Sequence, residues 1–207
     1  MAGHRHHAGC EHSGADSSPQ LGIEYSLFNK IDIDHVQCLN EEVDGSGKYI
    51  FKPWEKRLDL EKYVDSDVDE ELLFNIPFTG NVKLKGIIVI GGENGSHPSK
   101  MRLFKNRPHL SFDDVGATPD QEFELYHDPT GTLEYSTKIV KFSSMYYLSI
   151  HFPKNFGSDK TRIYYIGLRG EFSEAQRQEV AICSYEAAPN PADHKTTLFE
   201  NVSREVL

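Results

Sequence analysis

The sequence lacks the cysteine pattern of a disulfide-stabilised or dithiol protein. Its 207 residues include three cysteines, Cys10, Cys38 and Cys183, which lie far apart and form no Cys-x-x-Cys pair. An odd number of isolated cysteines excludes a disulfide framework and a thioredoxin-type active site as expectations. We therefore expect reduced thiols, as in proteins of the cytosol or nucleus.

Long hydrophobic runs are also missing. No apolar stretch approaches the roughly 20 residues that an α-helix needs to span a bilayer. The N-terminal residues are histidines and small polar residues, where a signal peptide needs a hydrophobic segment. These absences predict a soluble intracellular protein without a membrane partner.

Positive charge is in deficit. The sequence has 22 Lys and Arg against 32 Asp and Glu, a formal net charge of -10. Such a surface repels phosphate backbones on average, so we expect no direct nucleic-acid partner. The hydrophobic content of 38% is sufficient for one globular domain with tails.

What the sequence does contain is a strong strand pattern over residues 72–105. Leu72, Phe74, Ile76 and Phe78 occupy alternate positions, which predicts a strand with one face on a core. Thr79-Gly80-Asn81 predicts a tight turn, and residues 82–90 predict a second strand. The apolar run at 87–90 indicates that this second strand is covered on both faces, and a polar loop and a third strand follow it.

Several further short strands are predicted, separated by Gly, Pro, Asn and Asp residues. Many short strands with regular turns favour an all-β antiparallel sandwich. A single short helix is possible after Ser26, and residues 173–180 fit either a helix or an exposed link. The predicted strands after the third are residues 121–126, 133–135, 139–142, 147–152 and 162–168.

Two tails flank the predicted domain of residues 20–192. Residues 1–19 lack apolar periodicity, so we expect a disordered tail. Residues 193–207 are mostly polar and form a C-terminal tail, of a kind that often lies along a surface or engages a partner. The first tail can act as a solvated segment with only adventitious metal affinity, or as a Cu(II) or Ni(II) site at Ala2-Gly3-His4 if its amine is free. Its candidate metal ligands are His4, His6, His7, Cys10 and His12.

An acidic segment precedes the central strand. Asp65, Asp67 and Asp69 imitate the start of an EF-hand, but Glu70 replaces the required Gly and Ile76 the required Glu. The calcium-loop interpretation therefore fails. A solvated acidic loop, a weak cation site and a contact for a basic partner all remain open.

Catalytic motifs are missing as well. The glycines at 91–95 form neither a dinucleotide-binding nor a P-loop motif, and they lead into a strand. No Gly-x-Ser-x-Gly is present, and no His or Asn signature surrounds the cysteines. The sequence therefore predicts a protein without enzymatic activity and without a cofactor.

With its segments taken together, the sequence resembles the PITH family, the proteasome-interacting domain found at the C-terminus of thioredoxin-like protein 1. The resemblance covers about residues 20–192. It rests most heavily on residues 70–106, 159–163 and 166–170. Shorter matching motifs are Cys38-Leu39-Asn40-Glu41, the acidic residues 65–71, Val82-Lys83-Leu84, Glu93-Asn94-Gly95, Arg102-Leu103-Phe104-Lys105-Asn106 and Phe112-Asp113.

The resemblance implies a jelly-roll β-sandwich similar to galactose-binding domains, consistent with the strand pattern. It also implies binding to the regulatory particle of the 26S proteasome. This chain has no thioredoxin domain in the sequence given, so no redox activity is carried over. Fold similarity to sugar-binding modules does not establish sugar binding.

We therefore expect a monomeric, cytoplasmic and nuclear adaptor that docks on the proteasome or a related assembly through loops at one end of the sandwich and acts as a regulatory factor. A rival hypothesis is a module that binds a glycan through Arg102, His109, Tyr147 or Tyr165. A third hypothesis is a metal-dependent or hydrolytic enzyme. The candidate partner contacts are Asp65, Asp67, Asp69, Glu70, Glu93, Asn94, Lys100 and Arg102.

Overall fold

The computed structural model describes residues 25–174. The regular structure of these residues consists of eight antiparallel strands and four single-turn 3-10 helices, at Phe28–Lys30, Ile33–His35, Ser46–Lys48 and Trp54–Lys56. None of the described helices is long and apolar enough to cross a bilayer. The strands are β1 (Gln37–Leu39), β2 (Val64–Asp65), β3 (Leu72–Gly91), β4 (Lys100–Lys105), β5 (Gln121–Glu124), β6 (Glu134–Ser136), β7 (Met145–Phe152) and β8 (Arg162–Ser173).

The long strand β3 joins the two layers of the sandwich. Its first half lies between β1 and β7, and its second half lies between β8 and β6. The main strand order is β2-β8-β3-β7-β4-β5. Because the two halves of β3 take different neighbours, the chain encloses its main core between them, and the predicted antiparallel jelly-roll sandwich is confirmed.

The predicted alternation at the start of β3 is confirmed. Leu72, Phe74, Ile76 and Phe78 all belong to the main core cluster. The opposite face is buried too, because Leu73 packs in a smaller cluster under the segment that follows β4. The apolar alternation thus predicts the face of β3 that packs on the main core. It does not predict that the opposite face is also buried.

The predicted turn at Thr79-Gly80-Asn81 is wrong, because β3 continues through it as one strand of 20 residues. The pairing register shifts between Pro77 and Val82, where the strand passes from one set of neighbours to the other. A Cβ atom on Gly80 would lie 2.7 Å from the ring of Phe172. The glycine therefore permits close packing across the sheet and does not mark a turn.

The apolar run in the second half of β3 is covered on both faces, as predicted. Ile87 and Val89 pack in the main core. Ile88 and Ile90 pack on the other side with Tyr165, against the partly buried Trp54. The segment around Trp54 therefore forms an outer cover over this layer.

Most of the later predicted strands are present with shifted ends, but the one at residues 139–142 is wrong. This segment is a turn, in which the Lys138 carbonyl accepts hydrogen bonds from the amides of Lys141 and Phe142. Phe142 is fully buried, whereas Val140 is 91% exposed. The apolar residues suggested a strand, but only Phe142 contributes to the core.

Some predictions fall outside the described residues. They are the two tails at 1–19 and 193–207, the candidate metal ligands of the first tail, Cys10 and Cys183, and nearly all of the segment 173–180. The short helix expected after Ser26 is the single 3-10 turn Phe28–Lys30. Cys38 is partly buried against the main core, and burial raises the pKa of its thiol well above its usual value.

Candidate functional site

Three loops meet at one end of the sandwich, and we call them together the loop end: residues 66–71, 92–99 and 153–161. The third loop lies between the other two. The Ser66 amide donates to the Thr161 carbonyl at 2.9 Å, and the Phe156 amide donates to the Gly95 carbonyl at 3.0 Å. Backbone hydrogen bonds therefore fix the three loops relative to one another.

Side chains and turn geometry stabilise each loop. The Asn40 amide group donates to Asp69 Oδ1 and to the Glu71 carbonyl, both at 2.7 Å, and its oxygen accepts from the Val68 amide. In the second loop, Asn94 and Gly95 adopt positive φ angles of 53° and 86°. These are conformations that Asn and Gly tolerate best. The loop end is thus a set of defined turns on a rigid sheet.

Carboxylates near the core have partners within the protein. Asp65 accepts two hydrogen bonds from Arg162, including one from Nε at 2.6 Å, and this pairing raises the already high pKa of Arg162. Glu71 Oε2 lies 3.3 Å from His151 Nε2. For Asp65, the repulsion expected among the acidic residues 65–71 is therefore offset by a guanidinium of the same chain.

Other side chains of the loop end face the solvent. Asp67 and Asp159 are exposed carboxylates, and Val68 between the acidic residues is 84% exposed. Phe156 on the neighbouring loop is 51% exposed, although its ring also packs against His97. Two apolar side chains therefore lie exposed among carboxylates.

The structure brings most of the predicted contact residues to this end. Asp65, Asp67, Asp69 and Glu70 lie on β2 and the loop that follows, and Glu93 and Asn94 lie on the second loop. A pocket of about 320 Å³ connects Glu93 and Asn94 with Arg162. The acidic segment and the glycine-rich loop, separate in sequence, thus form one continuous surface.

Lys100 and Arg102, also predicted as contacts, lie on β4 and bind within the protein. Lys100 Nζ lies 2.8 Å from Glu122 Oε1 on the neighbouring strand. Arg102 donates to the carbonyls of Val115 and Ala117 at 2.7 and 3.1 Å. Their donors therefore hold β5 and the segment after β4 in place, and are less available to a partner than those of the loop end.

The residues proposed for a glycan do not converge on one site. His109 and Tyr147 line a cavity of about 870 Å³ beside β1, with ring centroids 6.1 Å apart. Arg102 is bound as above, and Tyr165 is 2% exposed on the outer face of the other layer. Burial raises the pKa of Tyr165 to about 12. No edge therefore presents all four side chains to a sugar.

Within residues 25–174, no group of three or more His, Cys, Asp or Glu side chains is arranged to hold a metal ion. The acidic residues 65–71 form no such group, because Asp65 accepts hydrogen bonds from a guanidinium and Asp69 accepts one from a side-chain amide. The weak cation site considered from the sequence therefore has no support in the described part of the chain.

Sequence reasoning missed the apolar side chains of the loop end. Val68 is the only apolar residue within the acidic run Asp65-Ser66-Asp67-Val68-Asp69-Glu70-Glu71. An apolar residue in a charged, turn-forming run cannot easily be buried by local structure, and this context in the sequence indicates an exposed apolar side chain. Phe156 follows Asn155 in a Gly-containing turn, and this context likewise indicates an exposed apolar side chain.

Comparison with known proteins identifies the family. The sequence profile of the PITH domain matches residues 17–189. The chain belongs to the PITH domain family. It is 60% identical over 207 residues to a PITH domain-containing protein of Drosophila melanogaster, covering 99% of this chain and 98% of the relative. PITH domain-containing protein 1 of Xenopus laevis is 59% identical over 196 residues, with 94% of each chain covered.

Solved structures similar to this PITH domain are carbohydrate-binding modules. The CBM32-1 and CBM32-2 domains of Clostridium perfringens ZmpB, in complex with GalNAc, match with a TM-score of 0.53 and 9% identity over 73% of this chain and 38% of that one. The family 32 module of C. perfringens NanJ, in complex with galactose, matches with a TM-score of 0.50 and 8% identity over 70% of this chain and 97% of that one. These similarities establish the galactose-binding-like jelly-roll fold.

Proposed function

We propose that this PITH protein is a non-enzymatic adaptor that docks on the regulatory particle of the 26S proteasome through its loop end. In this proposal the protein acts as a monomer in the cytoplasm and nucleus. It needs no cofactor, and it has no direct nucleic-acid or membrane partner. The proteasome is the partner that resemblance to the PITH family implies.

The observation that carries the choice of surface is the exposed Val68 among carboxylates, on loops fixed by backbone hydrogen bonds. Protein interfaces combine an apolar centre with a polar rim, and a few central side chains supply most of the binding free energy. A preformed loop also loses little conformational entropy on binding. The loop end has each of these properties.

The charge of the loop end indicates the chemistry of the partner surface. Asp67, Glu93 and Asp159 are not among the ion pairs of residues 25–174. An acidic rim favours a basic patch on the proteasome and accelerates encounter. Binding should therefore weaken as salt rises from low to physiological concentration, and salt-independent binding would argue against this contact surface.

The test is co-sedimentation of the purified protein with intact 26S proteasomes at both salt concentrations. The variant is Asp67→Asn with Val68→Ser, because neither side chain supports the loop. Changing Asp65 or Asp69 would instead remove the contacts to Arg162 and Asn40. The matched control is Asp113→Asn with Val140→Ser, an exposed acid and an apolar residue that is 91% exposed, both outside the loop end.

We expect the loop-end variant to bind about tenfold more weakly, which corresponds to about 1.4 kcal/mol, and the control to bind as the wild type does. Equal losses in both variants would move the contact surface elsewhere. If the wild-type protein stays in the supernatant at every salt concentration, proteasome docking is refuted.

A further inference from the structure

A pocket of about 270 Å³ lies beside the segment that contains the 3-10 helices Ser46–Lys48 and Trp54–Lys56. Four lysines and one aspartate line it, together with aromatic and aliphatic side chains. We call it the lysine pocket, after Lys48, Lys52, Lys56 and Lys62. On a protein with a net charge of -10, this concentration of positive charge is a local exception.

These four lysines differ from others in the same protein. Within the part of the chain that the structure describes, none of them lies within ion-pair distance of a carboxylate. Four lysines elsewhere, on or near strands, are instead paired with glutamates. The pairs are Lys83 and Lys85 with Glu171, Lys100 with Glu122 and Glu124, and Lys160 with Glu42.

Lys52 is the most informative member, because it is only 7% exposed. Its Nζ donates to the carbonyls of Asp59 and Lys62 at 2.6 and 2.8 Å. Burial lowers its pKa, while Asp59 acts in the opposite direction. An ammonium has three donors, and two carbonyls do not neutralise its charge. A buried cation of this kind is stabilised by a nearby anion.

The other three lysines line the same pocket. Lys48 Nζ donates to the Asp34 carbonyl at 2.7 Å. Lys62 Nζ lies 5.1 Å from the centre of the Tyr49 ring, and Lys56 is exposed. Asp59, the acidic residue of the pocket, accepts a hydrogen bond from the Glu61 amide at 3.0 Å. Four lysines and one aspartate therefore border one small space.

We propose that the lysine pocket binds a phosphoryl group. Its volume suits a single tetrahedral anion better than a nucleotide. Ammonium groups are compact charges that bind phosphate without the fixed geometry that a guanidinium imposes. A doubly charged anion can contact several lysines at once, whereas a single carboxylate offers half the charge. The group belongs either to free inorganic phosphate or to a phosphorylated side chain of a protein.

The test is a titration of the full-length protein with inorganic phosphate, followed by NMR signals of the lysine ammonium groups and nearby amides. A second arm uses a short phosphoserine peptide, with the same peptide carrying serine as control. The variant is Lys56→Gln with Lys62→Gln, two exposed residues whose loss leaves Lys52 and the core in place. The matched variant is Lys138→Gln with Lys154→Gln, which removes two exposed lysines elsewhere.

The expected result is saturable binding with shifts centred on Lys52, weakened at least tenfold in the pocket variant and unchanged in the matched variant. Tighter binding of the phosphoserine peptide than of inorganic phosphate assigns the group to a protein side chain, and equal or weaker binding assigns it to free phosphate. Absence of saturable binding in both arms overturns the proposal. Equal weakening in the two variants also overturns it, because only net charge would then matter.

Discussion

At the loop end, the Asp65 carboxylate faces a guanidinium of the protein itself, whereas at the lysine pocket a buried ammonium faces carbonyl oxygens. Asp65 is held by Arg162 and Glu71 lies beside His151. Lys52 has the carbonyls of Asp59 and Lys62. The first region has a paired carboxylate inside and unpaired carboxylates outside, and the second combines four lysines with one aspartate. Net charge alone therefore does not predict which ions or partners each surface favours.

The largest effect that we predict concerns the internal pairing of the loop end. Arg162→Ala leaves Asp65, whose side chain is 12% exposed, without its cation and removes a guanidinium 4.2 Å from the Tyr63 ring. We expect a loss of about 2 kcal/mol in the free energy of unfolding, reduced by the partial exposure of Arg162. Urea denaturation measures it, and an unchanged midpoint would show that the pair adds nothing to stability.

The second prediction separates the two surfaces. Asp67→Lys reverses one charge of the loop end, so it should weaken proteasome binding about tenfold and leave phosphate binding unchanged. Lys62→Gln should have the opposite pattern, because its ammonium lies at the lysine pocket. Binding titrations of both variants with both partners measure this. If either variant weakens both interactions, the surfaces are not independent.

The third prediction is a pH dependence of stability. Burial lowers the pKa of His97 and of His151, for which nearby Glu71 acts in the opposite direction. Both folded-state pKa values lie below the ordinary value of 6.5, so the folded protein favours the neutral rings. The stability they confer is present above pH 6.5 and is lost as pH falls through the folded-state values.

Urea denaturation across this range checks the pH prediction. The wild-type midpoint should fall on acidification, and His97→Gln with His151→Gln should make the decline shallower. A decline of the same steepness in the variant would assign the effect to other groups.

The smallest effect is expected at an exposed pair. Lys83→Gln removes the contact with Glu171, whose side chain is 50% exposed and also binds Lys85. Exposed ion pairs contribute little because solvent and salt screen them. The urea midpoint should stay within experimental error of the wild-type value. A clear shift would mean that surface pairing matters more in this sheet than we argue.

Local patterns predicted the core face of β3 and missed features that depend on distant residues. The alternation from Leu72 to Phe78 identifies the buried face because every second side chain of a strand points the same way. At Gly80 the same local reasoning fails. The residue that requires a glycine is Phe172, far along the chain on β8.

The candidate site shows the same division. The acidic residues 65–71 were recognisable as a group, and their charge suggested a cation or a basic partner. The guanidinium that satisfies Asp65 is 97 residues away. The lysine pocket has a local signal in the spacing of Lys48, Lys52 and Lys56, but the net charge of the whole chain is negative and does not reveal this local excess of lysine. Pairing across the sheet decides which charges remain for a partner.

Docking on the proteasome through the loop end can be tested directly with a photo-crosslinking amino acid at position 68 and, in a second variant, at position 140. Both positions are highly exposed, at 84% and 91%, and only the first lies on the loop end. After irradiation with purified 26S proteasomes, we expect crosslinks from position 68 to a subunit of the regulatory particle and none from position 140. Crosslinks from position 140 alone, or from neither position, would contradict docking through the loop end.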